Sequence, residues 1–224
     1  MLTIIIPSYN GEKCVGVVID NVKKYVRQPY ELFVVDDCSS DRTSEVAKRH
    51  GAKVIRHKQN FGGVAPEDYK NFKGDKIIAL DDDMEHHPKD IPKLVKALDN
   101  CDIVIAARTW RSRLVERILD NICNFPCDDV WSGFIGFRRK WIDLVQKHRL
   151  RLWLETHLAI PAAGGRICNV QATTSKGLRP SRFGGQFRGT IKTILFLRRY
   201  QKHAALIGKN SCHKTKSSSA PSTG

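Results

Sequence analysis

A chain of 224 residues, 41% hydrophobic and 27% charged, can bury one sizeable core and is too apolar to be disordered. Its net charge of +15 is unevenly placed: residues 1–107 hold 16 Lys and Arg against 17 Asp and Glu, whereas residues 108–224 hold 22 against 6. The first half has carboxylates to offer a cation, and the second is built to meet something anionic: a nucleic acid, an anionic membrane surface or a phosphorylated substrate.

Leu2–Ile6 predicts a short β-branched strand stopped by PSYNG, and Cys14–Val26 has helical spacing of Val15, Val18, Ile19, Val22 and Val26. Glu31–Val35 predicts a second strand, stopped by DDCSSD. A helix follows from Thr43 to His50, with Asp41 as its N-cap and Gly51 closing it. Lys53–Arg56 predicts a third strand, and NFGG leads through a weak helix to the strand Lys76–Leu80. Ile91–Leu98 predicts a helix and Asp102–Ala106 a fifth strand. Strands that are apolar throughout and alternate with helices predict an α/β fold with a largely parallel sheet covered on both faces. Ligands bind such sheets beyond the carboxyl ends of the strands, which here read PSYNGE, DDCSSD and DDDMEHH.

Seven scattered cysteines predict reduced thiols in a cytosolic setting, and Cys123 and Cys127 lack a second Cys/His pair for a zinc site. The N terminus offers no signal peptide, its apolar stretch ending at Pro7, and no run reaches the roughly 18–20 apolar residues that span a bilayer. A soluble or peripheral protein is expected. The stretch from Arg188 to Ile207 sets Ile194, Leu197, Tyr200, Ala204 and Ile207 on one helical face, opposite Arg188, Lys192, Arg199 and Lys202. That pattern suits either a helix in a membrane interface or one packed on the domain or on a partner. The last sixteen residues are polar and predict a disordered tail.

Asp81–Asp83 project from the end of an oily strand, and alternation puts Asp81 and Asp83 on one side. Two hard oxygen donors suit Mg²⁺ or Mn²⁺, with Glu85 as a third ligand and a bound phosphate completing the shell. Taken alone, the three aspartates also read as capping or surface carboxylates. His86 is expected behind the ligands and His87 in solvent. Trp110, Trp131, Trp141 and Trp153 read as core or interface, and the RRK at 138–140 as a solvated helix start.

In order, TIIIPSYNGE, ELFVVDDCSSDRTSEVAKRHGAKVI and KGDKIIALDDDMEHHP resemble the first strand, second strand and DXD segment of family 2 glycosyltransferases with the GT-A fold. DDVWSGFIGFRRKWID, RLWLETHLAIPAAGGRICNVQATT and KGLRPSRFGG extend the resemblance over residues 2–200, closest to the dolichol-phosphate mannosyltransferases and related polyprenyl-phosphate glycosyltransferases. The resemblance implies a catalytic domain over 1–187, with 188–208 a basic amphipathic helix and 209–224 a tail. It implies nucleotide-sugar binding by Pro7, Tyr9, Asp36, Asp37 and Asp82, and by Glu12, which Gly11 offsets by one from the family's position. Asp81, Asp83 and Glu85 take the metal positions. Arg108, Arg113, Ser132, Lys176 and Arg182 face the acceptor phosphate, and Asp83, Arg108 and Arg113 stand as the catalytic set. The implied substrates are GDP-mannose or UDP-glucose and a dolichyl or polyprenyl phosphate. The protein would dock from the cytoplasmic face of a membrane, alone or on a membrane protein. A family 2 enzyme acting on a glycan or protein is the alternative. A nucleic-acid-binding protein, suggested by the charge, lacks a recognised binding motif.

Overall fold

The seven residues of Leu2–Ser8 are all buried, as a strand covered on both faces must be, and they form β1 near the middle of the sheet. The structure is a computed structural model that describes residues 1–108, 126–129, 131–150, 152, 154–178 and 198–208. Among these residues, β1, β2 (Tyr30–Asp36), β3 (Lys53–Arg56), β4 (Lys76–Ala79), β5 (Ile103–Arg108), β6 (Ile135–Arg138) and β7 (Ile167–Ala172) make one sheet in the order β3-β2-β1-β4-β6-β5-β7. Every pairing is parallel except those of β6, which runs antiparallel to both β4 and β5.

Alternation along β1 sends Ile4 and Ile6 to one face and Ile5 to the other. On the first face they meet α1 (Val15–Tyr25), whose Val15, Val18, Ile19 and Val22 recur at i, i+3, i+4 and i+7, and α3 (Ile91–Ala97) through Ile91 and Leu94. On the other face Tyr69 and Phe72, in and just after the 3₁₀ turn Pro66–Asn71, pack with Phe137 and with Val145 of α4 (Ile142–Lys147) and Ile160 of α5 (Leu154–Ala162). The segment after NFGG, expected as a weak helix, is that 3₁₀ turn, which Pro66 starts. The helix α2 (Thr43–Arg49) stands where expected, but its N-cap position is Arg42 rather than Asp41, which lies one residue further out and accepts the Thr43 amide at 3.0 Å.

Two expectations need correction. Cys101 and Cys168 form a disulfide, their Cα atoms 6.0 Å apart, where reduced thiols were expected throughout. The partners stand 67 residues apart and meet because β5 and β7 lie side by side, so no sequence spacing announces the bond. Of the RRK at 138–140, Arg139 and Lys140 are exposed and start a 3₁₀ turn (Arg139–Trp141) as expected, but Arg138 does not belong to the helix start. It closes β6, and its guanidinium donates to the carbonyls of Leu98 at 2.8 Å, Cys101 at 3.0 Å and Asp99 at 2.7 Å.

Residues 198–208 are helical (α6), with Ala204 and Ile207 buried, Ile207 in the second core cluster and Leu206 59% exposed. Residues 188–197 and 209–224, which hold the rest of the expected helix and the tail, lie outside the described residues. Among the described residues no helix is long and apolar enough to cross a membrane.

Candidate active site

Parallel pairing brings the carboxyl ends of β1, β2, β4 and β5 to one edge, and with them the polar clusters that follow. Ser8 lies beside Asp36 in the register, and its hydroxyl donates to the fully buried Asp82. Asp82 therefore points into the fold. Glycine is required at position 11, because a Cβ there would overlap both Ser8 Oγ and Asp82 Oδ2. Pro7 is buried within β1, and Tyr9 is partly exposed just beyond it.

The two aspartates ending β2 are committed to shaping the loops. Asp36, fully buried, accepts from the Ser39 amide at 2.9 Å and from the Ser44 hydroxyl. Asp37 accepts from the amides of Phe61 at 2.8 Å, Gly62 at 2.8 Å and Gly63 at 2.9 Å, and faces His57 Nδ1 at 2.8 Å. Glu12 accepts the Arg42 amide at 3.0 Å, with the Arg42 guanidinium at 3.5 Å. Three of the four expected nucleotide carboxylates, Glu12, Asp36 and Asp37, thus hold the rim of the site in shape, while Asp82 is buried beneath it.

Asp81, Asp83 and Glu85 are half-buried after β4. Asp83 accepts the Glu85 amide at 2.9 Å, which folds the segment back on itself. Glu85 has its carboxyl pushed above the usual carboxylate range, by burial first, against the attraction of Arg108. His86 is buried, and burial followed by the charge of Arg108 lowers its pKa to about 4, so its ring is neutral at pH 7. It sits behind the carboxylates, 3.4 Å from Ser132 Oγ and edge-on to Phe134. His87 is not simply in solvent: it accepts the Lys89 amide at 3.1 Å and packs edge-on to Tyr25.

The residues expected to face the acceptor phosphate are only partly within the described chain. Arg113 and Arg182 lie outside it, as do Trp110 and Trp153. Trp131 and Trp141 pack against the second core cluster. Arg108 closes β5 and forms a two-pronged pair with the fully buried Asp129, Nε to Oδ2 at 2.8 Å and Nη2 to Oδ1 at 3.0 Å, while Nη1 is 3.5 Å from Glu85. Ser132, also fully buried, donates to the Ala106 carbonyl at 2.7 Å. It braces the turn that brings Gly133 against Asp81.

Two features escape sequence reasoning. Residues 173–178 run alongside 83–87: the His87 amide donates to the Thr173 carbonyl at 3.1 Å, the Ser175 amide to the Glu85 backbone carbonyl at 3.0 Å, and the Leu178 amide to the Asp83 backbone carbonyl at 2.6 Å. This pairing brings the segment of the exposed Lys176 alongside that of the carboxylates. In addition, Asn10, Cys38 and Met84 have φ values of 52°, 68° and 63°, each in the loop after a strand that feeds the site. Left-handed backbone at a residue other than glycine costs roughly 1–2 kcal/mol, and such strain gathers where a loop shape serves a ligand.

Among the described residues no three His, Cys, Asp or Glu side chains converge into a complete metal-ligand set. Asp81 and Asp83 offer hard oxygens at a strand end. That partial shell suits Mg²⁺ or Mn²⁺ when diphosphate oxygens supply the remainder.

Residues 3–147 match the model of the family described as glycosyl transferase family 2. The chain is 34% identical over 217 residues to the dolichol-phosphate mannosyltransferase of Pyrococcus furiosus, covering 85% of this chain and 58% of that one. It is 31% identical over 163 residues to the undecaprenyl-phosphate 4-deoxy-4-formamido-L-arabinose transferase of Yersinia enterocolitica, covering 63% and 50%. The chain spans about half the length of the curated relatives it matches. Among solved structures, glucosyl-3-phosphoglycerate synthase from Mycobacterium tuberculosis in complex with Mn²⁺, UDP and phosphoglyceric acid superposes with a TM-score of 0.63 at 20% identity, over 88% of this chain and 78% of that one.

Proposed function

This chain belongs to glycosyl transferase family 2 and has the GT-A fold, and we propose that it moves a hexose, mannose first, from a nucleotide sugar to dolichyl or another polyprenyl phosphate. The observation that supports the reading is the pairing of residues 173–178 with 83–87, which brings the segment of Lys176 alongside that of Asp83 and Glu85.

Asp81, Asp83 and Glu85 would hold Mg²⁺ or Mn²⁺, which neutralises the leaving diphosphate as a Lewis acid. The nucleophile is an oxygen of the lipid phosphate. A monoester phosphate has its second pKa near about 6, so it is largely ionised at pH 7 and needs no side chain to take its proton. Direct displacement inverts the anomeric centre. Lys176, exposed beside the carboxylates, is the described cation that this reading aims at the acceptor phosphate. Arg108 acts there by fixing Asp129 and balancing Glu85, since a phosphate that drew away its fork would take the guanidinium from a buried carboxylate.

The acceptor's hydrocarbon tail stays in a bilayer, so the protein would dock on the membrane surface. The exposed Arg198, Arg199 and Lys202 of α6 are available for that, at about 1 kcal/mol for each basic residue near anionic lipid. Incubation of radiolabelled GDP-mannose and UDP-glucose with dolichyl phosphate tests the reading. Label in the lipid phase is expected. Label passing only to an added glycan or protein would replace the acceptor, and no transfer from any nucleotide sugar would overturn the proposal.

A further inference from the structure

We propose that His57 is a positioning residue of the donor site, a proton-carrying clasp that ties Asp37 to Asp68 and so holds residues 60–65 in the shape that receives the nucleotide.

His57 follows β3, where no motif marks it. Its Nδ1 lies 2.8 Å from Asp37 Oδ1 and its Nε2 lies 3.0 Å from Asp68 Oδ2, and the three side chains are only 6%, 4% and 7% exposed. Each carboxylate reaches on to the loop. Asp37 gathers the amides of Phe61, Gly62 and Gly63, and Asp68 takes the Ala65 amide at 2.8 Å. The Phe61 ring stands edge-on to the imidazole, with centroids 5.0 Å apart. The loop between β3 and the 3₁₀ turn is therefore strung on one buried cluster.

An ionised carboxylate only accepts hydrogen bonds, and a neutral imidazole donates only one. Burial pushes the Asp68 carboxyl upward, against the Ala65 amide and the charge of His57 that draw it down; with Asp68 ionised, both contacts are satisfied only when both ring nitrogens carry hydrogen. Loss of that proton turns a lone pair toward one of the two carboxylates, in a place water barely reaches. The other charges nearby do not replace it: Glu67 is paired with Arg149 at 2.9 Å, and the Arg56 guanidinium turns to the Ser39 carbonyl at 2.8 Å and toward Asp36. Burial alone would lower the pKa of His57, but the hydrogen bond to Asp37 and the charge of Asp68 outweigh it, and the net direction is upward. The clasp is therefore at full strength below the ordinary histidine value and weakens as pH rises from there through the raised one.

The test follows amide hydrogen exchange in the full chain as a function of pH, comparing residues 60–65 with β1, together with calorimetric titration of UDP and of GDP in Mn²⁺. Between the ordinary histidine value, about 6.5, and the raised midpoint of His57, protection of the loop amides, corrected for intrinsic exchange, should fall by up to about tenfold per pH unit and then level off while β1 holds, and nucleotide affinity should fall with it. Asp68→Asn keeps an acceptor but removes a charge, so it should move both midpoints to lower pH. His57→Gln should erase the dependence. Loop protection that is flat with pH, or a midpoint that Asp68→Asn leaves in place, overturns the clasp. Because the clasp's role in donor binding rests on the transferase reading, the two can fail separately. PH-independent binding of UDP or GDP defeats the positioning role alone. Binding of neither nucleotide at any pH defeats the donor site itself, and the exchange data still decide the clasp.

Discussion

A β-carbon on Gly133 would overlap the carboxylate of Asp81, so the turn after Ser132 and the end of β4 can touch only because position 133 is glycine. The turn cannot retreat, because Ser132 is braced on the Ala106 carbonyl and the Ser132 amide on Asp129. Gly133→Ala must therefore displace Asp81. We expect transfer to fall by at least about tenfold, equivalent to 1.4 kcal/mol of lost positioning, with the melting temperature changed by only a few degrees. Steady-state kinetics beside calorimetry separates the two effects, and full activity would show that the Asp81 carboxylate is not needed where it stands.

The Arg108–Asp129 pair makes a different demand. Asp129 is fully buried and also accepts the Trp131 amide at 3.2 Å. Arg108→Ala removes the guanidinium from that buried carboxylate, at a cost of up to about 3–5 kcal/mol. The expected signature is a lower melting temperature with loss of activity toward both substrates alike. A rise in KM for the lipid phosphate alone, at normal stability, would instead make Arg108 an acceptor ligand.

Stability in acid should depend on Glu31. This carboxylate is 7% exposed, accepts from Thr3 Oγ1 at 2.7 Å and from the amide of Lys73, and lies 3.6 Å from Lys53. Burial alone would raise its pKa, but these partners outweigh burial and lower it. A depressed folded-state pKa contributes stability that is present above the unfolded value, near about 4.3, and lost as pH falls through the folded one. Thermal melts should show a shallower acid limb in Glu31→Gln than in the native chain. Superimposable limbs would remove Glu31 from the account.

The sheet and its busy edge were legible in the sequence because five strands are apolar runs with polar stops, and because Val15, Val18, Ile19 and Val22 repeat at helical spacing. The short strand β6 escaped because IGFR is four residues in a segment legible only by resemblance, and its antiparallel pairing with β4 and β5 is a tertiary choice. Residue types marked where the site lies more surely than what each carboxylate does. DDCSSD shows two aspartates but not that Asp37 faces the amides of 61–63, and nothing in RHKQN announces that His57 joins it to Asp68. Such partners are set by loops meeting across the sheet edge, which period and composition do not encode.

Asp83 provides the most direct test of the account, which holds that the carboxylates beyond β4 receive a metal-bound nucleoside diphosphate. Its side chain is half-buried outside the strand and accepts the Glu85 amide, a contact that asparagine can keep, so Asp83→Asn should fold normally. Isothermal titration of UDP and GDP into the native chain and into Asp83→Asn, each with Mn²⁺ and with EDTA, isolates that carboxylate. We expect one of the two nucleotides to bind the native chain in Mn²⁺, with affinity lost in EDTA and reduced by about tenfold or more in the variant, as for removal of a charged contact of roughly 1.5–3 kcal/mol. Equal affinity for that nucleotide in all four of its titrations, or binding of neither nucleotide to the native chain in Mn²⁺, would contradict it.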